Sequence, residues 1–318
     1  MKWAISTRWN VRRHSDGRGL VDEILHAGFN AIELSYDFRR ELIDGVAARV
    51  QAGDISVVSV HAYCPVPRNV PRGHPELWLL TDPDETIRRR AVQELTETVR
   101  FAASMGAPTV VVHAGYVRTR WVRTGHLIRL AERGVVDGLW WRWKWSALFR
   151  ARERGAPAVL DRLRQSLEQL MPVLEECQVS LGFENLPSWE AVPSEMELRE
   201  LCAEWKNAHI GYWHDFGHGQ IRENLGFIGH LGLLRRMSDH VRGFHVHDVR
   251  PPAQDHVLPP HGSIPFREFA EFATLPVPFV IEATRDASVA DLRAAVQHLE
   301  AEWGIGSERL IPTATRDG

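Results

Sequence analysis

The chain has 318 residues, 44% of them apolar and 25% charged, with a formal net charge of −3. That balance excludes a disordered or collagen-like chain and gives no general electrostatic reason to bind nucleic acid or an anionic membrane. Three cysteines (Cys64, Cys177 and Cys202) without CxxC spacing, no apolar leader and no run of membrane-spanning length lead to the expectation of a reduced cytoplasmic protein. In chain order, short β-branched runs alternate with amphipathic stretches. Strands are predicted at 3–6, 31–35, 56–61, 109–113, 179–184, 209–215, 241–247 and 278–282. Helices are predicted at 18–27, 39–51, 84–105, 158–177, 194–206, 229–238, 265–273 and 287–302. The helix over 84–105 illustrates the logic. Asp82-Pro83-Asp84-Glu85 starts it with acid at the positive end of the dipole, and Gly106 stops it. Between them Ile87, Ala91, Leu95, Val99 and Ala102 recur every three to four residues.

Eight strand–helix units in a chain of this length predict a (β/α)8 TIM barrel, one domain over 1–318. The rival, a doubly wound open sheet, lacks a Gly-rich phosphate loop after any early strand. One segment, about 117–157, interrupts the alternation after the fourth strand and contains Leu139-Trp140-Trp141-Arg142-Trp143-Lys144-Trp145. Trp141, Trp145 and Phe149 share one helical stripe, so an inserted Trp-rich helix packed on the barrel is expected. A lid or a homo-oligomer contact is the functional alternative. Residues 118–164 carry twelve Arg/Lys against four Asp/Glu, +8 locally and −11 elsewhere. A stacking surface for nucleic acid fits this less well than packing does.

The informative pattern is what ends each strand. His61, His113, Glu184, Asp215, His245 with His247, and Glu282 close six successive strands, and His218 follows Asp215 by three residues. In a barrel these ends gather at the C-terminal face, where such folds keep their sites. A ring of carboxylates and imidazoles there costs several kcal/mol in desolvation and repulsion unless positive charge sits among them. One divalent cation removes that penalty. The mixed donor set suits Mn²⁺, Zn²⁺, Co²⁺ or Mg²⁺, and ligand type does not choose among them; Mn²⁺ is the expected ion.

With "VVVHAG" (110–115), "LGFEN" (181–185), "HDFGH" (214–218), "FHVHD" (244–248), "DHVLPPHGSI" (255–264) and "VIEA" (280–283) in this order, the chain resembles the xylose isomerase-like barrel superfamily over about 1–305. That superfamily includes sugar isomerases and epimerases, inosose-type dehydratases and endonuclease IV-type enzymes. The resemblance implies a metal held by Glu184, Asp215, His245 and Glu282, with Glu184 and Glu282 as the acid/base pair and His218 on substrate oxygens. It implies a metal-dependent sugar isomerase or epimerase that works through an enediolate on a ketose or related keto-sugar. Alternatives are a dehydratase on a keto-inositol or keto-sugar and an endonuclease IV-like phosphodiesterase on abasic DNA. For the latter, eight of nine ligand positions match (His61, His113, Glu184, Asp215, His218, His245, His256 and Glu282). The ninth, an aspartate, is here Gln254, with Asp255 one place late.

Around the substrate, a small sugar or sugar derivative, His61, His113, His218, His247, His256 and Arg250 are expected. His247, one pleat beyond His245, is assigned to substrate or to a partner of the ligands rather than to the same ion. Asp248 is expected to steady the loop that returns His256 to the site. Arg250 and Arg285 follow ligand strands and suit a phosphate or carboxylate, although surface salt bridging is the more ordinary use of each.

Overall fold

The structure, a computed structural model, describes residues 2–206 and 209–305. Residues 1, 207–208 and 306–318 of the expected single domain lie outside the described residues. Eight parallel strands form a closed barrel: β1 (Lys2–Ser6), β2 (Ala31–Leu34), β3 (Ser56–His61), β4 (Thr109–Val112), β5 (Ser180–Glu184), β6 (Ile210–Asp215), β7 (Val241–Val246) and β8 (Pro278–Ile281). Each pairs with its sequence neighbours, and β8 closes the ring on β1 through Ile5↔Ile281. Strands enclosed on both faces read as continuous apolar runs, which is why all eight predicted strands appear within about two residues of their expected ends.

Helices cover the outside: α1 (Gly17–Ala27), α2 (Ile43–Gln51), α3 (Glu85–Ser104), α4 (Thr124–Ala131), α5 (Gly138–Cys177), α6 (Glu195–Glu204), α7 (Phe216–Asn224), α8 (His230–Met237) and α9 (Val289–Glu302). The segment predicted at 265–273 is a 3-10 helix over Phe266–Thr274. Two helical differences from expectation have physical causes. The helix predicted from 158 begins at Gly138 and runs through Pro157, because Leu148, Arg152, Ala156 and Leu160 continue one buried stripe across the proline. The insertion is therefore α4 followed by the first half of α5. Helix α7 was not predicted, since its two glycines mask helical propensity. Both glycines answer to packing. A Cβ on Gly217 would stand 1.9 Å from the His247 ring, and one on Gly219 would stand 2.3 Å from His230 Nε2.

The tryptophan stripe of the insertion faces inward as predicted. Trp141 is buried, Trp145 stacks on Phe149 (ring centroids 3.9 Å apart), and Phe149 stacks on Trp189 (4.1 Å). Trp140, Trp143 and Leu139 are exposed on the other side. Among the described residues no helix is long and apolar enough to cross a membrane.

Helix α5 is tied to the chain beyond β5 by Arg152, which is buried. Both guanidinium arms donate to Glu197 at 2.5 Å, and Nη2 also donates to the Ala191 carbonyl at 3.2 Å. Burial works against the Glu197 charge, yet Arg152 holds its carboxyl below the ordinary 4.5. Arg152→Ala leaves that carboxylate without its partner and is expected to lower unfolding stability by about 3 kcal/mol, visible as a lower urea midpoint. A lowered carboxyl pKa stabilises the fold above the ordinary value and loses that contribution as pH falls through the folded value. Wild type and variant should therefore converge in acid. Equal midpoints at neutral pH would refute this role.

Candidate active site

Parallel register sets the site. Asp215 lies beside His245, which lies beside Val280, and Glu184 lies beside Trp213, so β5 to β8 deliver their polar ends to one edge. Asp215 is also the N-cap of α7, and its Oδ1 accepts from the His218 amide at 2.7 Å. The helix N-terminus thus helps to hold a buried negative charge. Asn185 clamps the adjoining strand ends: its Nδ2 donates to the Asp215 carbonyl (2.9 Å) and its Oδ1 accepts from the Asp215 amide (2.7 Å).

Glu184 is the hub. His113 Nε2 and His61 Nε2 lie 3.0 and 3.2 Å from its Oε2, while His218 Nδ1 lies 3.2 Å from its Oε1. Burial raises a lone carboxyl, but His245 and His113 outweigh that and hold Glu184 well below the carboxylate range. The imidazoles shift in the opposite sense. Burial favours neutral rings, yet Glu184 and Glu76 carry His113 up to about 9. Asp215 and Glu184 likewise carry His218 up to about 9 against burial.

His245 is completely buried, with Nε2 on Glu33 at 3.0 Å, and Ser59 Oγ donates to the same Glu33 oxygen at 2.8 Å. Glu33 is fully buried inside the barrel and was not anticipated, because one acid within "AIEL" carries no sequence signal until β2 and β7 are known to face each other. With Nε2 spent on Glu33, His245 Nδ1 has no hydrogen-bond partner. Glu184 Oε1, 3.4 Å away in poor hydrogen-bond geometry, and Asp215 Oδ2, 3.9 Å away, face it.

His247 is also completely buried. Its Nε2 lies 3.0 Å from Asp215 Oδ2, and its Nδ1 accepts from the His256 amide at 2.9 Å. Asp248 ties the following loop by accepting from the amides of Val249, Gly262 and Ile264. His256 Nδ1 is 3.5 Å from Glu282 Oε2, and Arg8 Nη1 reaches the same ring at 2.9 Å. Burial first, with the charge of Arg8 beside it, keeps His256 well below the ordinary imidazole range, so it accepts from Arg8. Arg8 sits just after β1, where no sequence pattern marked it. Arg250 stands apart: it is exposed and donates to the His261 carbonyl at 3.0 Å. Gln254, at the place of the nuclease aspartate, is exposed as well.

The donor atoms fall into overlapping groups. His61, His113 and Glu184 form one; Glu184, Asp215 and His245 form another; Glu282 joins both Glu33–His245 and His247–His256. A divalent cation fits the second group. Two carboxylate oxygens converge on an orphaned, fully buried imidazole nitrogen whose other nitrogen is fixed by a carboxylate, the arrangement by which proteins orient metal-binding histidines. Glu282 stands across His245, 3.9 Å from Nε2.

Residues 21–302 match the family described as xylose isomerase-like TIM barrel. An uncharacterized protein of Methanocaldococcus jannaschii, MJ1311, is 21% identical over 191 residues, 59% of this chain, and the chain spans about half of that relative's length (54%). Among solved structures, a D-tagatose 3-epimerase-like protein superposes with TM-score 0.67 at 17% identity, covering 96% of this chain and 98% of the other. The IOLI protein with a bound zinc atom superposes with TM-score 0.66 at 13% identity, again over 96% and 98%. At such identities the likeness is one of fold.

Proposed function

The chain belongs to the xylose isomerase-like TIM barrel family, and from that premise we propose that it is a divalent-metal-dependent sugar isomerase or epimerase acting on a ketose or related keto-sugar. The observation that carries this reading is the pair Glu184 and Glu282 placed about one buried imidazole, His245, whose Nδ1 is orphaned beside two carboxylates. Glu184, Asp215 and His245 would hold the ion, with Glu282 as the fourth ligand. When bound, the ion supplies positive charge that makes the carbon between a carbonyl and a hydroxyl acidic. The resemblance in fold to a D-tagatose 3-epimerase-like protein and to a zinc-bound protein supports the same assignment.

The remaining chemistry belongs to the side chains. Glu184, held as a carboxylate, accepts the proton from one face of that carbon, leaving an enediolate. Glu282, across the ring, delivers a proton to the opposite face, which inverts the centre. The two groups exchange protonation states in each turnover and are reset from solvent. His218, held protonated with only its Nδ1 engaged, donates from Nε2 to substrate oxygens and stabilises the developing negative charge, while His113, spent on Glu184 and Glu76, holds the Glu184 carboxylate in place. His61 and His256 complete the wall, and Arg8 keeps His256 in place as an acceptor.

The test is proton exchange. Ketoses incubated with the enzyme in D2O should incorporate deuterium next to the carbonyl, as read by NMR. Chelation should abolish this, and Mn²⁺, Co²⁺ or Zn²⁺ should restore it. A dehydrated product in place of an inverted centre would assign the lyase chemistry instead. Exchange indifferent to chelation, or absent with every ketose and metal, would overturn the proposal.

A further inference from the structure

Beside the site, a cleft of about 560 Å³ is lined by Arg12, Arg39, Arg40, Arg68 and Arg72, drawn from the loops after β1, β2 and β3. That volume is in the range of small-molecule sites. Two carboxylates share the lining, and both are already engaged. Asp37 accepts from Arg12 Nε (3.2 Å), Arg285 Nη2 (3.1 Å) and Ser35 Oγ (2.8 Å), while Glu41 pairs with Arg39 at 3.4 Å. Arg40, Arg68 and Arg72 make no hydrogen bond or ion pair among the described residues. Three guanidinium groups with which neither carboxylate of the cleft pairs repel one another and present forked donors that match oxyanion geometry.

The cleft and the ring of carboxylates and imidazoles share a wall. Asp37 lines the cleft, and the preceding residue, Tyr36, sets its ring edge-on to His61 with centroids 5.3 Å apart. Arg285, which holds Asp37, lies three residues beyond Glu282 on the same strand-end loop. The loop over 66–73 closes tightly on this wall, for a Cβ on Gly73 would stand 1.9 Å from the Tyr36 carbonyl oxygen. A phosphate monoester, with close to two negative charges at neutral pH, matches three free guanidinium groups better than a single carboxylate does.

We propose that this cleft binds the phosphate of a phosphorylated keto-sugar whose carbonyl end lies among Glu184, His245 and Glu282, an inference that rests on the isomerase or epimerase reading above. Calorimetric titration of the full chain loaded with Mn²⁺ tests it, using ribulose 5-phosphate, ribulose and inorganic phosphate as probes. Wild type should bind the ketose phosphate about 100-fold more tightly than the ketose, as expected for two or more charge-assisted hydrogen bonds. The triple variant Arg40→Gln/Arg68→Gln/Arg72→Gln, whose side chains have no hydrogen bond or ion pair to lose among the described residues, should bind the neutral ketose as before and lose the preference. Inorganic phosphate should compete with the ketose phosphate. Equal binding of the two sugars by wild type, or a preference that survives the triple substitution, overturns the proposal. So does phosphate that binds without displacing the ketose phosphate. Because binding is read without turnover, a phosphate preference that persists where proton exchange fails would count against the isomerase reading and not against the cleft.

Discussion

Glu184→Gln and Glu282→Gln should each reduce inversion of the substrate centre by about 10³-fold, the scale on which a positioned proton-transfer group contributes. The two losses should differ in kind. In Glu282→Gln, Glu184 still accepts a proton, so deuterium enters from one face and the centre is not inverted. In Glu184→Gln the hub of His61, His113, His218 and His245 loses a charge, and Glu184 also supplies one of the two carboxylate oxygens facing His245 Nδ1, the other being Asp215's. Exchange and inversion should therefore fall together, with a fall in metal content. The double variant should show no exchange at all, measured by NMR against wild type at saturating metal. Exchange that survives in the double variant would remove both residues from the chemistry.

Metal content should separate the two histidines of "FHVHD". His245→Ala removes the orphaned nitrogen and should cost at least about 100-fold in affinity, with Glu33→Gln costing about 10–100-fold by releasing the ring's orientation. His247→Ala keeps Glu184, Asp215 and His245 intact, so the ion should remain while turnover is lost through the freed Asp215 oxygen and the slackened His256 loop. Chelator competition followed by elemental analysis reads all three variants. Equal loss in His245→Ala and His247→Ala would mean that the Asp215–His218–His247 group also holds metal, and a multinuclear centre would replace the single-ion description.

Much of this was visible in one dimension. Strands buried on both faces had to be continuous apolar runs, and a polar residue closing such a run had to lie at the sheet edge, so Glu184, Asp215, His245 and Glu282 could be assigned to one face of a barrel before any contact was known. The Trp stripe of the insertion was legible for the same reason, as a periodicity of 3.6. Helix α7 was hidden because its glycines serve neighbours remote in sequence, His247 and His230. The helix expected from 158 starts instead at Gly138, because a buried stripe continues through Pro157.

Sequence by itself determined the eight-unit alternation, the face that carries the chemistry and the donor types available there, since each follows from periodicity and from the cost of burying charge. Tertiary structure alone decided which nitrogen of His245 is free, because that depends on Glu33 arriving from 212 residues away. It alone decided that His247 serves Asp215, that Arg8 reaches His256 and that Arg250 stays outside. Those are facts of strand register and loop closure. A closed barrel brings opposite ends of the chain to within hydrogen-bonding distance, and no local pattern of residues encodes which of them will meet.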